Sequence, residues 1–212
     1  MEAVVFDFGG VLTLAPPEDH VETLRNLCGL DRATFEREYR RQRVDYDRGA
    51  IDSREYWARI VDSNGRPPEP QILRSLFQAD VEGWTRVNRP VLEWAAHLQA
   101  AGVRTGILSN MPRDILEWVR GRFRWLDRFQ VKIFSCDLGV NKPDPAIFRA
   151  CLDALSLRGS KVLFLDDMGQ NVEGAKRAGM RTVLFRNLED SLKEISKQGW
   201  LPAELTVDQE QG

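Results

Sequence analysis

Cysteine is scarce in this chain. Its three residues in 212, Cys28, Cys136 and Cys151, are odd in number and far apart. That spacing excludes a disulfide framework and a cysteine-built metal site, and it points to a reducing compartment, the cytoplasm. Cys136 falls in an apolar run and reads as an inert core thiol in a strand. Charge of one sign is lacking too. With 30 Lys and Arg against 32 Asp and Glu, the formal net charge is −2. No surface built to hold nucleic acid or an anionic membrane is expected from that balance. No stretch approaches the ~18 consecutive apolar residues of a membrane span. Met1-Glu2 leads into an apolar segment without a basic start, so no signal peptide is expected. Repeats and low-complexity tracts are absent, and the polar tail Thr206–Gly212 is expected to fray.

What remains is the composition of a soluble globular protein, 42% hydrophobic and 29% charged, long enough for a sizeable core. Five short apolar segments read as strands: Val4–Phe8, Val103–Leu108, Lys132–Cys136, Val162–Leu165 and Thr182–Phe185. Helical periodicity separates the later ones, at Pro90–Ala101, Pro145–Leu155 and Val172–Ala178, with Gly102 and Gly179 as stops. Strands alternating with helices predict an α/β fold, a doubly wound, parallel five-stranded sheet.

The gap between the first two strands breaks the rhythm. It holds roughly 90 residues, against ~30 in a simple strand–helix–strand unit. Helical patterns fill it at Val21–Leu27, Ala33–Arg43, Ser53–Ser63 and Ile72–Phe77, with Asp52 or Ser53 as a cap and Gly65–Pro70 as a loop. The expected organisation is a core of residues 1–14 and 87–212 and an inserted helical cap over 15–86, placed to act as a lid.

The chemistry gathers at the strand ends. The first strand stops at Asp7 before Gly9-Gly10. The second ends in Ser109-Asn110 and the fourth in Asp166-Asp167, while Lys142 lies in the stiff loop Asn141-Lys142-Pro143-Asp144-Pro145. In a parallel sheet these ends share one edge, where open α/β sheets bind ligands. Asp7 there is a nucleophile, a metal ligand, both, or merely a helix cap. Asp7, Asp166 and Asp167 sum to −3; Lys142 and a hard dication would balance them and admit a phosphate. Lys142, Ser109 and the amide of Asn110 are then candidates to hold phosphate oxygens, and Asp7 to attack phosphorus.

These motifs, in this order, resemble those of the haloacid dehalogenase superfamily of phosphohydrolases. The resembling stretches are Val5-Phe6-Asp7-Phe8-Gly9-Gly10-Val11, Leu108-Ser109-Asn110, Lys142-Pro143 and Phe164-Leu165-Asp166-Asp167 with Asn171 following. The chain is also similar to the phosphatase domain joined to epoxide hydrolases and to bacterial sugar-phosphate phosphatases with a helical cap. The resemblance implies a Mg2+-dependent phosphatase acting on a small phosphomonoester through an aspartyl-phosphate. In it Asp7 would be nucleophile and metal ligand, with the Gly9 carbonyl and Asp167 as further ligands. Ser109 and Asn110 would bind phosphate, and Lys142 would neutralise developing charge. Asp166 would be a ligand through water or a partner of Lys142.

One position departs from the pattern. Active phosphatases of the superfamily carry an acid/base Asp where this chain has Gly9. Such a group contributes ~10²–10⁴-fold in rate. Slow turnover, an acid from the cap such as Glu18, Asp19 or His20, or an easily expelled leaving group are the open outcomes. A dehalogenase-type hydrolase and a non-catalytic binding protein are the rival readings. The cap also offers Tyr39, Tyr46, Tyr56, Trp57, Arg40, Arg41, Arg43 and Arg48, either as a clamp for a sugar or second anion, or as packing residues and a solvated face.

Overall fold

The computed structural model describes residues 1–65 and 67–206. Arg66, in the expected loop, and positions 207–212 of the expected frayed tail lie outside the described residues. The strands are β1 (Ala3–Phe6), β2 (Arg104–Ser109), β3 (Val131–Phe134), β4 (Val162–Asp166) and β5 (Arg181–Leu184). They form one parallel sheet in the order β3-β2-β1-β4-β5. The α/β, doubly wound sheet is therefore as expected. All four residues of β1 are buried, because the strand is central and covered on both faces.

Side chains of β1 alternate between two cores. Ala3 and Val5 pack with Ile147, Phe148 and Cys151 of α8 (Pro145–Leu155) and Ala175 of α9 (Gly169–Arg177). Val4 and Phe6 face α5 (Arg89–Ala100), α6 (Arg113–Arg122) and α10 (Leu188–Lys197), through Val91, Trp94, Leu116 and Ile195. This second core runs on into the long excursion after β1. Its helices are α1 (His20–Cys28), α2 (Arg32–Asp47), α3 (Ser53–Val61) and α4 (Pro70–Trp84), which bury Leu24, Phe35, Trp57 and Leu76. The excursion leaves and returns through one neck. Thr13 and Val87 form an antiparallel bridge, Leu14 N donates to Arg86 O at 2.6 Å, and Asn88 Nδ2 donates to Val11 O at 2.9 Å.

Several boundaries differ from expectation. β1 ends at Phe6, not Phe8, because Gly9 and Gly10 turn the chain within a broken helical turn over Phe8–Leu12. Cys136 is buried but lies in α7 (Ser135–Leu138), not in a strand. Helix α2 continues one turn beyond Arg43 to Asp47, capped at its start by Asp31, which accepts from Thr34 N at 3.0 Å. Asp52 caps α3, accepting from Glu55 N at 2.8 Å.

Candidate active site

The sheet's order reverses at β1 and β4, so their carboxyl ends flank the crevice where such sheets take ligands. Phe6 pairs with Leu165, and Asp7 N donates to Leu165 O at 2.9 Å, which sets Asp7 beside Asp166. Carboxylate oxygens of Asp7, Asp166 and Asp167 lie within 4.8 Å of one another. Gly10 follows in the left-handed region at φ 77°, and a Cβ there would overlap the Asp167 carboxylate. The second glycine is thus what lets the loop close over Asp167.

Lys142 sits between two of these acids. Its Nζ is 2.9 Å from Asp7 Oδ1 and 2.6 Å from Asp166 Oδ2, and it donates to Leu108 O at 3.0 Å. All three ammonium donors are used. Asp166 is fully engaged as well: Oδ1 accepts from Met168 N at 2.8 Å and Asn171 Nδ2 at 3.0 Å, while Oδ2 accepts from Lys142. Asp7 Oδ1 also accepts from Phe8 N at 2.7 Å. Asp167 takes no hydrogen bond from another described residue. Burial, only partly offset by Lys142, pushes the Asp7 carboxyl up to about 7. Burial and the neighbouring Asp166 raise Asp167. Burial works against the Lys142 charge, but Asp7 and Asp166 outweigh it and raise its pKa.

The loop bearing Lys142 is clamped by Asn110, whose Oδ1 accepts from Lys142 N at 2.7 Å and whose Nδ2 donates to Lys142 O at 3.1 Å. The Lys142–Pro143 peptide is cis. The Asn110 side chain is therefore spent on holding the Lys142 loop.

A cavity of about 1100 Å³ opens above this edge, lined by Asp7, Ser109 and Lys142 below and by α2 and Trp84 above. A second charged group hangs there. Arg43 Nε donates to Asp47 Oδ1 at 2.7 Å, and its Nη1 reaches Asp80 Oδ2 and Tyr39 Oη, each at 3.3 Å. Asp80 is wholly buried. Burial opposes the Arg43 charge, yet Asp47, Tyr39 and Asp80 hold it well above its usual value. Burial raises the Asp47 carboxyl despite Arg43. The C-terminal turn of α2 is fastened to the sheet side: Ser135 Oγ donates to Asp47 O, and Asn141 Nδ2 donates to Val44 O at 2.8 Å.

The expected site residues Asp7, Gly9, Ser109, Asn110, Lys142 and Asp167 all line this one cavity. Of the residues expected from the excursion, Tyr39, Arg40 and Arg43 line it too. Tyr46, Tyr56 and Trp57 are core residues with no exposure. Arg41 and Arg48 pair locally with Glu38 and Asp45, both at 2.6 Å. Glu18, Asp19 and His20, expected as one of the open sources of an acid, are not among the residues that line the cavity. Glu18 and Asp19 are exposed, and His20 is buried with Nε2 at 3.9 Å from Asp80. Sequence reading missed Asp47 and Trp84. The signal for Asp47 was available: it stands four residues after Arg43, one helical turn on.

The sequence profile of haloacid dehalogenase-like hydrolases matches residues 1–179. Bifunctional epoxide hydrolase 2 of Sus scrofa is 27% identical over 214 residues, covering 93% of this chain but 38% of that enzyme. The chain thus spans well under half the length of that relative. Phosphatase MT3486 of Mycobacterium tuberculosis is 29% identical, covering 87% of each chain. Among solved structures, the HAD family enzyme bt-2542 of Bacteroides thetaiotaomicron, in complex with magnesium and inorganic phosphate, superposes with a TM-score of 0.72 at 19% identity. The match covers 88% of this chain and 94% of that one.

Proposed function

Because the chain belongs to the haloacid dehalogenase-like hydrolases, we propose that it is a Mg2+-dependent phosphatase of small phosphorylated metabolites, working through an aspartyl-phosphate on Asp7. The observation that carries this reading is the trio Asp7, Asp166 and Asp167 gathered around a single lysine. Its formal charge, −3 against +1, calls for a dication with hard oxygen ligands. The donor set fits: the Asp7 and Asp167 carboxylates lie within 4.8 Å of each other, Asp167 takes no hydrogen bond from another described residue, and the Gly9 carbonyl is the third ligand that the family resemblance supplies. Mg2+ bound there would screen the carboxylate from the phosphate and polarise a phosphoryl oxygen.

The remaining work falls to side chains. Lys142 and Phe8 N hold Asp7 Oδ1, which fixes the carboxylate for in-line attack by its other oxygen. Ser109 Oγ and the Asn110 main chain meet the phosphate oxygens, and Lys142 neutralises the charge that grows on them. Asp166 acts as the partner of Lys142. Residues 15–86 form the cap over residues 1–14 and 87–212, and the buried thiols suit a cytoplasmic setting. A dehalogenase would leave the acidic trio without a task, since expelling halide from carbon needs no cation.

The test is inorganic phosphate release from a panel of phosphomonoesters that includes sugar 1-phosphates, with Mg2+ and with chelator. Mg2+-dependent release that Asp7→Asn abolishes is the expected result. Equal release by Asp7→Asn, or halide release without metal, would refute the reading.

A further inference from the structure

Resting on that phosphatase reading, we propose that Asp47, at the end of α2, is the catalytic acid and base that replaces the side chain missing at Gly9. The usual place for such a group has no side chain and is tight. A Cβ built on Gly9 stands 3.1 Å from Trp84 Cε3 and 3.2 Å from Cζ3, so a side chain there would press on the indole. The proton must come from elsewhere on the cavity wall. Four carboxyl groups line it: Asp7, Asp47, Asp144 and Asp167. Asp7 is the nucleophile and Asp167 belongs to the cation cluster. Asp144 is exposed and caps α8, accepting from Ala146 N at 2.8 Å. Asp47 remains, on the part of the wall that α2 supplies, while Asp7 stands at the sheet edge; we place the leaving group of an in-line attack on the α2 side.

The surroundings of Asp47 suit it to hold a proton. Two acids, Asp47 and Asp80, share the one guanidinium of Arg43, at 2.7 and 3.3 Å. Asp80 has further partners in Tyr39 Oη at 3.4 Å and His20 Nε2 at 3.9 Å, and a proton on Asp47 relieves the crowding of two acids on one guanidinium. Asp80 is sealed; Asp47 reaches the cavity, and its Oδ2 takes no hydrogen bond from a described residue. Burial and Asp80 both raise the Asp47 carboxyl, while Arg43 and Lys142 lower it by less. The fastening of Asp47 O by Ser135 and of Val44 O by Asn141 holds this turn over the sheet edge.

The steps balance. Asp7 Oδ2 forms a bond to phosphorus as the P–O bond to the leaving group breaks, and that oxygen takes the proton of Asp47. Water then enters from the same side and bonds to phosphorus, giving its proton back to Asp47. The P–O bond to Asp7 breaks, inorganic phosphate leaves, and both carboxyl groups return to their starting states.

The experiment compares kcat/KM for phenyl phosphate and p-nitrophenyl phosphate in wild type, Asp47→Asn and Asp47→Glu. The two substrates are alike in shape, but p-nitrophenolate departs readily without a proton and phenolate does not. Taking the ratio within one sample cancels any loss of folded protein. Asp47→Asn is expected to lose ~10²-fold on phenyl phosphate. It should lose far less on p-nitrophenyl phosphate, and Asp47→Glu should restore part of the ratio. An unchanged ratio in Asp47→Asn would overturn the assignment. Wild type that hydrolyses neither ester with Mg2+, nor any of the panel above, would instead overturn the phosphatase reading beneath it.

Discussion

Two ion clusters of similar design meet one cavity, each with a cation between two aspartates. Below, Lys142 bridges Asp7 and Asp166 at 2.9 and 2.6 Å. Above, Arg43 bridges Asp47 and Asp80 at 2.7 and 3.3 Å. In each, one acid is sealed and has no exposure, Asp166 or Asp80, while the other meets the cavity. The difference is the third acid. Asp167 joins the lower group and adds a charge that one proton does not offset, so that group suits a dication. No such neighbour completes the upper group among the described residues, and a proton is enough there. The cations differ for a related reason. Lys142 is a compact point charge that spends its three donors at one spot, while the wide fork of Arg43 spans two acids and Tyr39.

Removing the lower cation has the largest expected effect on stability. Lys142→Met leaves Asp7 and Asp166 facing each other in a buried site and should cost about 3–5 kcal/mol in urea unfolding. A change under ~1 kcal/mol would mean that the lower group is not a paired cluster. Arg43→Met takes the guanidinium from Asp80, which keeps Tyr39 Oη at 3.4 Å and His20 Nε2 at 3.9 Å, and leaves Asp47 open to solvent, so the cost should be smaller, about 2–3 kcal/mol after allowing for that exposure. The metal sharpens the contrast. Mg2+ at a hundredfold excess over its dissociation constant should stabilise wild type by about 2.7 kcal/mol, read as a rise in melting temperature. Asp47→Asn should keep that rise and Asp167→Asn should lose it. The reverse pattern would place the cation in the upper group. The smallest effect concerns groups outside both clusters. Burial pushes the Cys28 and Cys151 thiols up to about 12 and Cys136 to about 11. A raised thiol pKa leaves little thiolate near neutrality, so maleimide labelling should be slow until the protein unfolds. Fast labelling of native protein would show that these thiols are open.

The lower group was legible in the sequence and the upper was not. Asp7, Asp166, Asp167 and Ser109 each end or directly follow a strand, and a parallel sheet brings such ends to one edge, where the loop before α8 adds Lys142. Helix faces carry no comparable rule. Arg43 and Asp47 are a turn apart on α2, yet only the packing of α4 supplies Asp80 and Trp84. From sequence, Arg43 could not be told from Arg41 or Arg48, which pair on the surface. Gly9 was legible as a missing side chain, but the indole of Trp84 pressed close to it, from 75 positions further along the chain, was not.

The central claim is that phosphate passes through Asp7. It is tested most directly by acid-quenching the Mg2+-loaded protein during turnover of p-nitrophenyl phosphate and mapping peptides by mass spectrometry. One phosphoryl group on Asp7, absent from Asp7→Asn, is the predicted result. Phosphate on another residue, or continued turnover by Asp7→Asn, would contradict it.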